Sequence, residues 1–256
     1  MKAFALAIGV SLLAAPLGAQ WLTHPTPGTP RTPDGKPNLA APAPRTTAGT
    51  PDLSGIWQRP RGATPPTGGR DGIATGLDVL FQPWAEALYK ERAVNNSKGM
   101  PSERCLPHGI TKAVSVPEPF KIVQTSDLIL ILHEEFNHYR QVYMDGRRRP
   151  AGDRTPTWLG YSLGTWDGET LVVDTTGFVD ETWLDFRGHP ATDALHLVER
   201  YRRLDFGHLE IQFAIDDPKA YVKPWTVTLS FDLLPDTELI EHFCENEKDA
   251  SHIVGK

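Results

Sequence analysis

Residues 156–178 read PTWLGYSLGTWDGETLVVDTTGF, and this run decides the fold. Trp158 to Trp166 and Thr170 to Thr176 have strand composition, and Asp167-Gly168-Glu169 between them has the make-up of a tight hairpin turn. The same pattern recurs on both sides. Phe120 to Thr125, Leu128 to Glu134 and His138 to Met144 predict a meander. Ala194 to Leu204 pairs with His208 to Ile215 around Asp205-Phe206-Gly207, and Trp225 to Leu233 pairs with Leu239 to Cys244 around Pro235-Asp236-Thr237. With an opening strand at Asp52 to Trp57 this makes about ten strands joined by short turns. The one strong helical period spans Leu77 to Val94, and Pro83 sets the helix start there because proline is tolerated only in a first turn. The expectation is a mainly β domain: an antiparallel up-and-down barrel or strongly curled sheet with one short helix.

Three segments follow from composition. Met1 to Ala19 has the form of a secretory signal peptide, with Lys2 before an apolar run and Leu17-Gly18-Ala19 as a cleavage site. Residues 20–51 are rich in Pro, Thr, Ala and Gly and cannot build a core, so they read as an extended tether. Residues 52–256 read as a single barrel-like domain. An exported protein of the periplasm or the extracellular space is expected, with no later membrane-spanning segment. The net charge of −6 is mixed in sign along the chain and gives no reason to expect a nucleic-acid partner. Cys105 and Cys244 are the only two cysteines. In an oxidising compartment they are expected to form a disulfide, a closure of about 4 to 5 kcal/mol in the chain-entropy model. Two buried thiols, or a metal site with His108 and His242, are the alternatives.

Strand alternation asks which polar groups share an apolar face. Glu199 falls with Leu195, Leu197 and Tyr201; Glu241 with Leu239 and Phe243; His138 and Arg140 with Phe136 and Val142. Glu134 falls beyond Leu128, Leu130 and Leu132, and Asp174 beyond Val172. A buried carboxylate needs a partner or a proton, so Glu199, Glu241, His138 and Arg140 are expected to line a barrel interior or mouth. Structural ion pairing, for instance of Glu199 with Arg140, is the alternative. The loop around Trp183, Asp185 and His189 adds an imidazole with a nearby carboxylate, a combination suited to general-base work. The candidate catalytic set is therefore Glu199, His189 and His138. The candidate binding set is Arg140, Glu241, Tyr201, Asp185 and Trp183.

Two motifs are set aside. His133-Glu134-Glu135-Phe136-Asn137-His138 approaches H-E-x-x-H but has one residue too many and lies in a strand pattern. Gly160-Tyr161-Ser162-Leu163-Gly164 fits G-x-S-x-G but continues as a strand, where a nucleophile elbow needs a helix. No Walker loop or complete metal-ligand set is present, and no cofactor is expected. The opening Gly55-Ile56-Trp57 resembles the first strand of lipocalin or calycin-like barrels. The run from Pro119 onward, with PTWLGYSLGTWDGETLVVDTTGF, WLDFRGHP, ERYRR, DDPKAY, KPWTV and FCENEKD, resembles a family of exported β-rich proteins from soil bacteria, a likeness that implies a common fold and no particular reaction. The leading functional expectation is a small-molecule binder. A hydrolase or lyase with a carboxylate and histidine acid–base pair comes second, and a structural envelope module third. Oligomeric state is open.

Overall fold

The structure is a computed structural model that describes residues 24–60, 72–74, 76–150, 155–242 and 244. The segment read as a leader, Met1 to Ala19, lies outside the described residues, as does most of the Arg61 to Gly76 loop.

Nine strands close into a barrel in sequence order: β1 Gly55–Gln58, β2 Phe120–Gln124, β3 Leu128–His133, β4 Tyr139–Tyr143, β5 Tyr161–Asp167, β6 Thr170–Thr176, β7 His196–Arg203, β8 His208–Asp216 and β9 Trp225–Leu233. Closure comes from β1, which pairs with β9 through Trp57 opposite Leu233 and Gln58 opposite Asp232. Helix α1 runs Pro83–Val94, starting at the expected proline, and the short α2 is Ile110–Ala113. The Cys105–Cys244 disulfide is formed.

Three expectations need correction. Among the described residues, the segment from Leu239 to Cys244 forms no strand; its β pairing there is an isolated bridge between His242 and Glu135. The barrel is not wholly antiparallel, because β4 and β5 run parallel, paired only as Val142 with Ser162 and Tyr143 with Leu163. Parallel neighbours require a crossover of a dozen residues or more, and the long connection between Tyr143 and Tyr161 supplies one. Finally, the helical period from Leu77 to Val94 implies an apolar face turned to a core, yet α1 buries only Ala85, while Trp84 within it and Leu77 and Leu80 ahead of it are exposed.

Alternation along the long strands fills the barrel. Leu197, Glu199, Tyr201 and Arg203 of β7, Leu209, Ile211, Phe213 and Ile215 of β8, and Leu229 and Phe231 of β9 all point inward and are buried. Burying a large apolar side chain contributes about 1.5 to 3 kcal/mol, so this half of the wall is the firm one. On β3 and β6 the inward set is Ile129, Ile131 and His133, and Leu171, Val173 and Thr175. The faces carrying Glu134 and Asp174 are therefore not the barrel interior, and Asp174 pairs with Arg149 and His196 on the outer wall. Gly55 is required where it stands: a Cβ there would come within 2.5 Å of Leu233 Cδ1 across the closing seam.

Residues 30–53, which include most of the segment read as a tether, lie on the barrel through an internal repeat. PRTPDGKPNL at 30–39 and PRTTAGTPDL at 44–53 fold alike. In the first, Thr32 N–H donates to Lys36 O and Asn38 N–H to Pro30 O; in the second, Thr46 N–H donates to Thr50 O and Asp52 N–H to Pro44 O. Each arginine folds back onto its own turn, Arg31 onto Gly35 O and Arg45 onto Gly49 O, and then clamps an acid of the barrel domain, Asp236 and Glu169. Gly207 N–H donates to Leu39 O, and a Cβ at Gly207 would sit 2.4 Å from Leu39 Cβ.

Overpacking of this kind costs about 1 to 3 kcal/mol. Gly207→Ala is expected to loosen residues 30–53, read as faster limited proteolysis there with β-barrel circular dichroism retained. Unchanged cleavage would contradict this docking.

Candidate functional site

The site is organised by the turn between β3 and β4. Phe136 and Asn137 both adopt left-handed backbone angles, φ 60° and 51°. Non-glycine residues there cost about 1 to 3 kcal/mol each and cluster where function holds them. The turn brings His133 and His138 opposite one another, with His133 N–H donating to His138 O at 2.9 Å and the rings stacked 4.9 Å apart. The near-motif H-E-E-F-N-H is thus no helix, yet its two imidazoles do meet.

The C-terminal segment crosses over this turn as a strap. Ile240 N–H donates to Glu134 Oε2, His242 stacks on Phe136, and Cys244 is bonded to Cys105. Beneath it, His108 stacks against Phe136, and its Nε2 lies 2.7 Å from Glu135 Oε2 without the alignment of a hydrogen bond. Lys112 on α2 is buried, its Nζ 4.6 Å above the Phe186 ring and 3.2 Å from Ser102 Oγ. α2 is held there by Thr111 Oγ1 donating to Leu184 O.

Burial dominates the electrostatics of this cluster. It pushes His108 down to about 3, helped by Lys112, and His138 to about 4, helped by His108. His133 is held well below the ordinary imidazole value by the same desolvation. Lys112 is lowered to about 7, and Glu135 is raised. Both ring nitrogens of His108 and of His138, Nδ1 of His133 and Oε2 of Glu135 are buried without a hydrogen-bond partner. Buried polar atoms left unpaired are rare and mark strain, catalysis or a missing guest. Among the described residues, no three His, Cys, Asp or Glu groups are placed to hold a metal ion.

His138 also borders a groove of about 530 Å³ on the outer wall, where β4 and β5 part. Its lining includes Asn137, Gln141, Tyr143, Thr157, Trp158 and Tyr161. A cleft of about 510 Å³ lies beside residues 24–29, but Arg203 in its lining already donates to the carbonyls of Asp52, Ser54, Asp205 and Phe206. That cleft reads as packing between tether and barrel.

The residues singled out from sequence fall into three places. Glu199 is fully buried and closes a bidentate pair with Arg140, whose Nη1 donates to Oε1 at 2.9 Å and whose Nη2 donates to Oε2. Tyr201 Oη donates to the same Oε1, and Arg140 also donates to Ser162 Oγ and Thr175 Oγ1. Glu199 and Tyr201 are therefore structural here, and only Arg140 and His138 also edge the groove. Ser162 sits in this network with 1% exposure, and its flanking glycines answer to packing: a Cβ at Gly164 would meet Met144 Sδ at 2.3 Å. His189 Nδ1 contacts Asp185 Oδ2 at 2.8 Å. Burial raises the Asp185 pKa, but the His189 hydrogen bond and backbone N–H groups outweigh it and hold the carboxyl below its ordinary value. Since Phe81, Tyr89 and Trp225 pack around the His189 ring, the dyad locks the loop and does not line the groove. Trp183 is buried under the Arg92 guanidinium. Glu241 is exposed and belongs to no strand, which corrects its inward placement.

Lys112 carries no signal in the sequence; His108 enters there only as an alternative metal ligand, and His133 and Glu135 only within the motif set aside. A usable signal existed for one pair: His133 and His138 bracket a turn at equal distances from its centre, so a hairpin pairs them directly. No protein-family model matches the chain, and neither a curated protein nor a solved structure matches it.

The depressed imidazoles fix a pH dependence. Their folded values lie below the ordinary 6.5, so below that pH the unfolded chain binds more protons. Stability then falls as pH drops from about 6.5 toward the folded values, at most by about 1.4 kcal/mol per pH unit for each group. Glu135, raised, acts in the opposite direction. Urea unfolding at pH 6.5 and 4.5 should show His108→Gln/His138→Gln losing less stability than wild type by at least about 1 kcal/mol. Equal losses would contradict buried neutral imidazoles.

Proposed function

We propose that this is an exported small-molecule-binding protein whose ligand lies in the groove between β4 and β5. The observation that carries the reading is the groove itself, about 530 Å³ with Tyr143, Trp158 and Tyr161 as aromatic walls and Asn137, Gln141 and Thr157 as polar contacts. Ligand sites commonly have this size and this mixture of apolar walls with few polar groups. The Arg140 charge at its edge is already compensated by Glu199, so the groove favours a neutral ligand. Buried side chains along the strands fill the barrel core, which supports a ligand in the wall over one on the barrel axis. The disulfide suits an oxidising compartment, periplasmic or extracellular.

A second reading, a hydrolase or lyase, has one observation in its favour: Glu135 and His108 meet at 2.7 Å in the same cluster as the groove residue His138. General acid–base groups contribute about 10²- to 10⁴-fold in rate. In that case His138→Ala would lower kcat by about that factor on any substrate turned over.

Thermal-shift screening against aromatic compounds, lipids and oligosaccharides tests the binding reading. One class is expected to raise Tm in a concentration-dependent way, and Trp158→Ala is expected to abolish the rise. A flat response to all three, or an equal response in the variant, would overturn it.

A further inference from the structure

We propose that the groove takes a short, extended, uncharged peptide, which adds as a strand along the free edge of β4. The inference rests on the groove being the binding site and names the class of its ligand.

Three observations support it. The groove is lined by His138, Tyr139, Arg140 and Gln141 in succession. Successive residues of a strand point to opposite faces, so a hollow bordered by all four is bordered by the strand's backbone edge.

The second observation is the hydrogen-bonding parity of that edge. His133 N–H donates to His138 O, and β3 and β4 then run in register as Leu132 with Tyr139, Ile131 with Arg140 and Leu130 with Gln141. Hydrogen-bonded and non-bonded pairs alternate in an antiparallel ladder. His138, Arg140 and Val142 therefore bond to β3, and Tyr139 and Gln141 turn their backbone groups toward β5. Pairing with β5 starts only at Val142. The Tyr139 N–H and C=O and the Gln141 N–H are left facing the groove without a backbone partner among the described residues.

The third observation explains why the gap stays open. The chain ahead of β5 is drawn away from β4: Thr157 N–H donates to Gly177 O, Val179 N–H donates to Thr157 O, and Gly160 N–H closes a turn onto Thr157 O. Residues 157–160 therefore form the opposite wall. The far end is closed where β4 and β5 come together at the Tyr143 and Tyr161 rings, 5.1 Å apart. A gap bounded in this way admits about three to four extended residues at about 3.3 Å each. Strand addition derives affinity from main-chain hydrogen bonds and specificity from alternate side chains; here Trp158 in the opposite wall offers a stacking face for an aromatic side chain, while the Tyr143 ring is already covered by Arg147 and Tyr161. The compensated Arg140 and the neutral His138 give a charged peptide no counter-ion.

The probe is acetyl-Val-Phe-Val-Thr-amide, with titration followed by calorimetry and by Trp fluorescence of wild type and Trp158→Ala. Two further versions carry N-methyl groups on alternate residues, one set for each edge of the peptide. Saturable binding is expected, with one N-methyl set losing at least about tenfold in affinity (about 1.4 kcal/mol) and the other retaining it. Equal affinity of both sets, or equal loss in both, would overturn strand addition. Gln141→Pro removes one edge donor, and should it fail to fold, the N-methyl pair reads the same hydrogen bonds from the ligand side. Indole serves as the control for the groove. If indole binds and requires Trp158 while the peptide does not bind, the peptide class is wrong and the groove stands; if neither binds, the groove reading fails with it.

Discussion

The Arg140–Glu199 pair is the contact on which the rest of the barrel depends. It is fully buried, and its cost in lost hydration is several kcal/mol per ion before any attraction is counted. What offsets that cost is saturation of the hydrogen bonds. Both oxygens of Glu199 are occupied, and the guanidinium also reaches Ser162 and Thr175, which contact each other at 3.1 Å. The network runs from β4 through β5 and β6 to β7. It therefore spans the seam where β4 and β5 share only two paired positions. Backbone pairing there is as thin as at the β1–β9 closure, and one side chain links the two halves of the wall across it.

That arrangement shapes the groove. A complete β4–β5 ladder would cover the Tyr139–Gln141 edge, and a seam without the buried pair would have little to stop it from opening further. The disulfide and the strap around Ile240 and His242 act at the neighbouring end, pressing the His133–His138 turn onto α2 and excluding water from His108, Lys112 and Glu135. The firm half of the barrel carries the long ladders from β5 to β9. The polar, less regular half carries the candidate chemistry.

Much of this fold was legible from residues. Hairpin composition located all nine strands, Pro83 placed the helix start, and the apolar face of Leu195, Leu197 and Tyr201 put Glu199 inside with Arg140 as a named partner. Where the reading failed, the cause is physical. Leu128 to Leu132 is apolar at every position, so alternation carries no parity there, and packing buries Ile129 and Ile131 instead of Leu128, Leu130 and Leu132. The β4–β5 pairing is parallel because the intervening chain returns to the same end, a choice made by tertiary contacts and not by either strand's composition. The Leu239 to Cys244 segment has strand composition, but the disulfide and the Glu134 carboxylate hold it as a strap. His108 and Lys112 lie in a loop and a one-turn helix, and only packing against Phe136 and Phe186 turns them into a site. The ten-residue repeat at 30–39 and 44–53 is written in the order of its residues, which composition alone does not carry.

A double-mutant cycle on Arg140→Met and Glu199→Leu, read by urea unfolding at pH 7, tests the central claim most directly. Each single variant strands a buried charge and is expected to lose about 3 to 5 kcal/mol. The double variant should recover much of that, giving a coupling of at least about 2 kcal/mol. Single losses below about 1 kcal/mol with additive behaviour would mean that the pair does not hold the seam.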